Sequence, residues 1–254
     1  MADINLENQL AARLRSLGQN GVDWLAPAPE LTVMAKQPDL FAAEEPPAQD
    51  APDTPEARRV ALNLLADVVS QCQRCPELAA TRTQTVFGVG PVGADILFVG
   101  EAPGGDEDRQ GVPFVGAAGQ MLNKIIAASG LTREEVFICN ILRCRPPGNR
   151  QPKSDECANC REYLEKTIAL VGPKIIVCWG GVAAQNLLKS RVGITKMRGQ
   201  FYDYNGIPVL CTFHPASLLE GRSPQNKKEV WDDMKTMLTK IGRPIPGAKT
   251  KDEG

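Results

Sequence analysis

Four short apolar runs stand out along the chain: DILFVG at 95–100, VFICNI at 136–141, KIIVCWG at 174–180 and IPVLCTF at 207–213. Each is too short for a core helix and is rich in branched aliphatic residues, so each predicts a buried strand. Between them, apolar positions recur at helical spacing. AGQMLNKIIAAS puts Met121, Leu122, Ile125 and Ile126 on one side. ECANCREYLEKTIALV and GVAAQNLLKS follow, and KKEVWDDMKTMLTKI carries the stripe Val230, Met234, Met237 and Leu238, flanked by Trp231. Ahead of the first strand, EARRVALNLLADVVS predicts a helix with Val60, Leu64, Leu65 and Val68 on one face. Thr54 is its cap and Pro55 lies in its first turn. Continuous apolar strands alternating with helices predict an α/β fold. It is expected to be a three-layer αβα sandwich around a central four-stranded, mostly parallel sheet, covered on both faces. In such sheets the site lies beyond the carboxyl ends of the strands. The loop opening at Glu101, Asn140, Gly180 and His214 each follow a strand end, so spacing alone gathers them.

The flanks read differently. Leu6, Leu10, Leu14 and Leu17 recur at helical spacing within residues 1–20, whereas 26–56 are rich in Pro, Ala, Glu and Asp. Residues 1–54 are therefore expected to form an extension, a short helix followed by an unstructured linker. Residues 55–241 are expected to form the folded domain and 242–254 a flexible tail. A chain of 254 residues suffices for one good core. The formal net charge of −1 excludes a uniformly basic coat but not a local basic groove. Neither a secretion-type opening nor an 18-residue apolar run is visible. The expectation is a cytoplasmic monomer without a membrane partner.

Eight cysteines in a reducing compartment point to metal binding, chemistry or core packing rather than to disulfides. Cys139, Cys178 and Cys211 lie in or at strands and read as core residues. Cys72 and Cys75 form one C-x-x-C, and Cys157 and Cys160 another, with Cys144 nearby. Four thiolates from this group suit a structural zinc ion or an iron–sulfur cluster, and spacing leaves the two open. A redox disulfide at 72/75 would leave the second group unexplained.

The blocks CQRCPEL (72–78), GEAPGGDEDRQGVPFVGAAGQML (100–122), CNILRCRPPGNRQPKSDEC (139–157) with Cys160, and TFHPASLL (212–219) occur in that order. Together they resemble the iron–sulfur uracil-DNA glycosylases called family 4, over residues 72–235. The resemblance implies a DNA repair hydrolase that flips uracil out of single- or double-stranded DNA and cuts its glycosidic bond. It implies a [4Fe–4S] cluster on Cys72, Cys75, Cys144 and Cys160, preferring Cys144 to Cys157. A related family that bonds covalently to DNA has GEQPG and a basic insertion before its histidine. This chain has Ala102 at the Gln position and no such insertion, which implies ordinary turnover. The alternative readings are an iron–sulfur redox protein, which leaves Phe114, Asn140 and His214 unexplained, and a metal-stabilised nucleic-acid-binding module without catalysis.

The resemblance puts Glu101 beside the sugar and the attacking water, with Phe114 stacking on uracil. Backbone N–H groups around Ala102 are expected to help hold the base. Gly100, Gly104 and Gly105 allow close approach, and Glu107 and Asp108 are expected to brace the glycine-rich loop. Asn140 has an amide able to accept from uracil N3–H and donate to O4, which separates uracil from cytosine. His214, the only histidine, is expected to donate to uracil O2. The sequence does not show how thymine is excluded; Gln110, Gly111 and Pro113 are the candidates for a wall at C5. HPASLL is expected to press on the base stack or enter the minor groove. Arg143, Arg145, Arg150, Arg222, Lys227 and Lys228 are the candidate phosphate contacts.

Overall fold

The computed structural model describes residues 54–220 and 223–247. The helix expected within 1–20, nearly all of the linker, and Arg222 lie outside the described residues. Two helices open the fold, α1 (Pro55–Ser70) and α2 (Pro76–Thr81). Thr54 caps α1, its hydroxyl accepting from the Ala57 amide at 3.2 Å.

Among the described residues five strands make one sheet: β1 (Ile96–Gly100), β2 (Val136–Asn140), β3 (Ile175–Trp179), β4 (Phe201–Tyr204) and β5 (Ile207–Thr212), in the order β2-β1-β3-β5-β4. The first three and β5 are mutually parallel, as the four apolar runs predict. The expected count of four is corrected to five. Strand β4 pairs antiparallel with β5 at the sheet edge. Its residues alternate between exposed and half-buried, so it lacks the continuous apolar run that marks the others. Its signal is the turn: Asn205 and Gly206 both hold positive φ (51° and 84°), the geometry of a two-residue hairpin loop.

Helices α3 (Gly105–Gln110) and α4 (Ala117–Ala128) cross from β1 to β2, and α5 (Ser154–Val171) crosses from β2 to β3. Helices α6 (Gly181–Leu187) and α7 (Ile194–Met197) precede β4, and α8 (Pro224–Lys240) follows β5. Side chains alternate along a strand, so each strand feeds two cores. Leu97, Val99, Ile176 and Cys178 pack with Leu62 and Val69 of α1 and Leu164 and Ile168 of α5. Phe98, Ile138, Val177 and Trp179 pack on the other face with Leu122 and Ile126 of α4 and Met234 and Met237 of α8. The result is helix, sheet and helix. Cys139, Cys178 and Cys211 are fully buried in it.

Helix α1 corrects another expectation. Val60, Leu64 and Val68 are 57–60% exposed, and the buried side chains are Leu62 and Val69, with Leu65 packed against the core. Apolar residues occupy more than one face of this helix, so periodicity alone did not choose the inner one. At the other end the fold continues past Ile241. Arg243 pairs with Glu135 at 3.2 Å, and Ile245 packs against the α4/α8 core.

Two ties fix the carboxyl edge of the sheet. Gly100 and Asn140 are register partners, so the ends of β1 and β2 lie abreast. Asp233 of α8 is buried and accepts from the Thr212 hydroxyl at 2.6 Å and from Arg198 at 2.7 Å. That anchors the end of β5 two residues before His214.

Candidate active site

Past the ends of β1, β2 and β5 opens a cavity of about 340 Å³, lined by Glu101, Ala102, Gly104, Glu107, Phe114, Asn140 and His214 among others. Residues chosen from sequence thus meet in one place. Gly100 lies beneath them. A Cβ there would sit 2.4 Å from Asn140 Oδ1 and 2.5 Å from Phe114 Cζ. Only glycine lets the amide and the ring close over the strand end.

Asn140 is buried, and its Oδ1 has no hydrogen-bond partner among the described residues. Its backbone is fixed from both sides, by the β1 ladder and by Arg143, whose Nη1 donates to the Asn140 carbonyl at 3.1 Å. Phe114 is 5% exposed and takes a left-handed conformation, φ 52°. Its ring centroid lies 5.8 Å from that of His214, tilted by 31°. Non-glycine residues rarely hold positive φ without support. Glu107 supplies it: Oε1 accepts from the Val115 and Gly116 amides at 2.9 and 2.8 Å, and Oε2 from the Gly104 amide at 3.0 Å. The carboxylate ties the glycine turn to the segment just after Phe114. Asp108 departs from expectation. Both of its oxygens accept from the Thr83 amide at 3.0 Å, so it braces the segment after α2 and not the glycine-rich loop.

His214 Nδ1 accepts from the Ala216 amide at 3.2 Å, which leaves Nε2 to carry the proton. Burial depresses its pKa to about 4, against a weaker opposing pull from Glu107. The imidazole is therefore neutral near pH 7 and presents an N–H. Among the described residues the Glu101 carboxylate has no hydrogen-bond partner, and burial raises its pKa. The cavity holds one unpaired acid, one neutral N–H donor, one unpaired amide and one aromatic face. That set can stabilise a cation on one side of a planar heterocycle and an anion on the other.

Pro103, Ala118, Pro146, Asn149, Arg150 and Ala216 also line the cavity. Of these, sequence reasoning had picked out only Arg150, and that as a phosphate contact. For Asn149 the signal was the PPGN turn, where Gly148 and Asn149 both hold positive φ. Gln110, Gly111 and Pro113 are not among the residues that line it. Arg143 is a further correction. It is fully buried, its guanidinium bonded to Asn140 and Thr167 and facing the Phe87 ring, out of reach of a phosphate. Arg150 is held by Glu156 and Glu77 at 2.6 and 3.1 Å. Arg145 Nε donates to Asn149 at 2.8 Å, and Lys227 and Lys228 are exposed in the first turns of α8.

The thiols of Cys72, Cys75, Cys144 and Cys160 line one recess beside α2 and α5. Among the described residues, no three His, Cys, Asp or Glu side chains converge as the ligands of a single metal ion would. Each of the four thiols has a donor of its own. Arg82 Nη1 lies 3.1 Å from Cys144 Sγ, the Arg143 amide 3.4 Å from Cys160 Sγ, and Asn159 Nδ2 3.6 Å from Cys75 Sγ. The Tyr163 hydroxyl pairs with Cys72. Such a shell suits anionic sulfur. Cys157 lies outside the recess. Burial pushes the Cys157 and Cys160 thiols alike up to about 11, so it is the recess that sets Cys157 apart. The residues therefore fit a four-thiolate cofactor on 72, 75, 144 and 160.

Residues 87–235 match the uracil DNA glycosylase superfamily. The chain is 40% identical to the type-4 uracil-DNA glycosylase of Thermotoga maritima over 190 residues, covering 73% of this chain and 98% of that protein. It is also 40% identical to the type-4 enzyme of Archaeoglobus fulgidus, covering 72% of this chain and 96% of that protein. A type-5 uracil-DNA glycosylase of Pyrobaculum aerophilum is 28% identical, over 58% of this chain and 79% of its own length.

Proposed function

This chain belongs to the uracil DNA glycosylase superfamily, among its type-4 enzymes, and from that premise we propose that it excises uracil from DNA. It hydrolyses the N-glycosidic bond, releases free uracil and leaves an abasic site. Its substrate is uracil-containing DNA, single- or double-stranded, and it works as a cytoplasmic monomer.

The observation that carries this reading is the unpartnered Oδ1 of buried Asn140 beside the Phe114 ring. An unmet buried acceptor costs about 1–3 kcal/mol, recovered when a ligand brings a donor. Uracil brings N3–H beside the acceptor O4, whereas cytosine presents an acceptor at N3 beside a donor at N4.

The base leaves the stack and enters the cavity. Its ring lies on Phe114 and its N3–H meets Asn140. As the C1′–N1 bond stretches, the bonding pair stays with uracil and spreads onto O2, while C1′ becomes cationic. The unpaired Glu101 carboxylate stabilises C1′ and orients a water. The neutral His214 donates its Nε2–H to O2. Water oxygen bonds to C1′, one water proton passes to Glu101 and then to solvent, and the uracil anion departs and is protonated at N1. Arg145, Lys227 and Lys228 meet flanking phosphates.

Cys72, Cys75, Cys144 and Cys160 would hold a [4Fe–4S] cluster, which would supply a cross-link between the α1–α2 junction and the segment 142–160. That segment carries Pro146, Asn149 and Arg150 to the cavity rim.

An oligonucleotide with one labelled uracil, incubated and then treated with alkali, tests the reaction. Cleavage is expected with the wild type and should fall by roughly 100-fold or more in Glu101→Ala and Asn140→Ala. A folded wild type that leaves uracil in place overturns the proposal.

A further inference from the structure

Arg82 stands out because, among the described residues, it is the charged side chain that hydrogen-bonds one of the four thiols, whereas Arg74, which also lines the recess, acts on Cys72 through its charge without a hydrogen bond to it. It caps α2, its amide donating to the Leu78 carbonyl at 3.0 Å. Its guanidinium is half-buried and spans two parts of the recess. Nη1 lies 3.1 Å from Cys144 Sγ, and Nη2 lies 2.7 Å from the Cys72 carbonyl. The fork therefore joins Cys72, 10 residues before it, to the third ligand, 62 residues after it. Its backbone position is not free to drift, since the next residue, Thr83, donates its amide to both oxygens of Asp108 on α3.

We infer that Arg82 is a positioning residue of the cluster site, serving as counter-charge and clasp for the thiolate of Cys144. The inference rests on the reading that the four thiols hold a [4Fe–4S] cluster. In its oxidised resting form such a cluster with four thiolates carries a net charge of about −2, and its reduction adds one more negative charge. A guanidinium at hydrogen-bond distance from one sulfur favours the anionic ligand over the free thiol and favours the reduced cluster over the oxidised one. The other donors to the thiols are an asparagine amide, a tyrosine hydroxyl and a backbone amide, all neutral. The buried Arg143 guanidinium contributes charge near Cys160 but is bonded to Asn140 and Thr167. Arginine geometry matters as well as charge. A lysine could face Cys144, but it could not hold the Cys72 carbonyl at the same time.

The experiment compares anaerobically purified full-length wild type, Arg82→Lys and Arg82→Ala. It reads iron and sulfide content, the rate at which visible absorbance is lost to an iron chelator, and the reduction potential by potentiometric titration. Wild type should carry about four iron and four sulfide per chain. Arg82→Ala should lose iron on the order of tenfold faster and be reduced at a more negative potential. Arg82→Lys should keep most of the potential and lose iron at an intermediate rate. This ordering separates charge from clasp, and no general loss of folding produces it. Equal retention and equal potential in all three overturn the role of Arg82 and leave the cluster standing. A wild type without iron or sulfide overturns the cluster reading itself, and the inference with it.

Discussion

Replacing Gly100 by alanine adds a single methyl group at the point where the site is tightest. The new Cβ would lie 2.4 Å from Asn140 Oδ1 and 2.5–2.6 Å from the Phe114 ring, where ordinary contact begins at 3.4 Å. The strand is paired with β2 at this position and with β3 up to Val99, and it is buried along its length. The backbone therefore yields less readily than the amide and the ring, which must retreat by about 1 Å. Overpacking of this kind costs about 1–3 kcal/mol of stability, which a domain of this size survives. The catalytic cost is larger in proportion. A displacement of about 1 Å in a group that positions substrate lowers the rate about 100-fold, because Asn140 no longer meets N3–H while the ring lies flat on Phe114. Single-turnover excision of uracil from a labelled strand measures the effect, and a urea melt on the same sample measures stability. The expected variant is folded, slightly less stable and about 100-fold slower. A folded Gly100→Ala protein that excises uracil within threefold of the wild-type rate would refute the claim that Asn140 and Phe114 act together over this glycine.

Three further outcomes follow from the charges. Burial holds His214 near pKa 4 against 6.5 in the unfolded chain, so its stabilising contribution is whole above pH 6.5 and is lost as the pH falls toward 4. The loss reaches up to about 3 kcal/mol. Denaturant melts at pH 7 and 4.5 should show this loss in wild type and not in His214→Gln, and equal pH dependence would count against the buried neutral imidazole. Burial raises Glu101 above its usual value, so ionisation weakens the fold as the pH rises through that pKa. Glu101→Gln should therefore melt at higher urea at pH 8 while losing excision by roughly 100-fold or more; a less stable variant would contradict the reasoning. Cys144→Ser should lose bound iron, whereas Cys157→Ser should keep it, as read by iron analysis, and the reverse result would put the ligand on the other cysteine.

The sequence was most legible where one physical signal dominated. Four fully buried strands leave continuous apolar runs, and function at the carboxyl edge follows from a parallel sheet, so Glu101, Asn140 and His214 could be gathered before any coordinates. Strand β4 escaped because an edge strand alternates, and its NG turn was not weighed. The inner face of α1 escaped because Val60, Leu64 and Val68 make as good a stripe as Leu62, Leu65 and Val69. Arg143 was misread for a deeper reason: a cation beside a strand end reads as a phosphate contact unless its tertiary partners are known. Here those are a carbonyl, a hydroxyl and an aromatic ring, all distant in sequence or hidden in the backbone. Spacing left the choice among five cysteines open, and the family resemblance made it. The donors to sulfur come from residues 82, 143, 159 and 163, which no spacing rule connects.

The working groups share a design that accounts for their unmet polar atoms. Each is held firmly on the side away from the cavity and left unsatisfied toward it. Asn140 has its carbonyl gripped by Arg143 and its Oδ1 open. His214 has Nδ1 committed to Ala216 and its carbonyl committed to the Ser217 amide and hydroxyl, with Nε2–H left over. Glu101 gives its carbonyl to the Leu142 amide at 3.1 Å and keeps its carboxylate free. The turns on either side of the Phe114 segment are held by Glu107 while its ring faces the cavity. The ties absorb the conformational freedom that substrate would otherwise have to freeze, and the open atoms concentrate the desolvation cost where charge develops. The fold tolerates a raised acid, a depressed imidazole and an orphaned amide in one cavity because each rests on a satisfied network behind it. Cutting a rear tie such as Glu107 should therefore lower excision without touching any atom of the substrate's polar contacts.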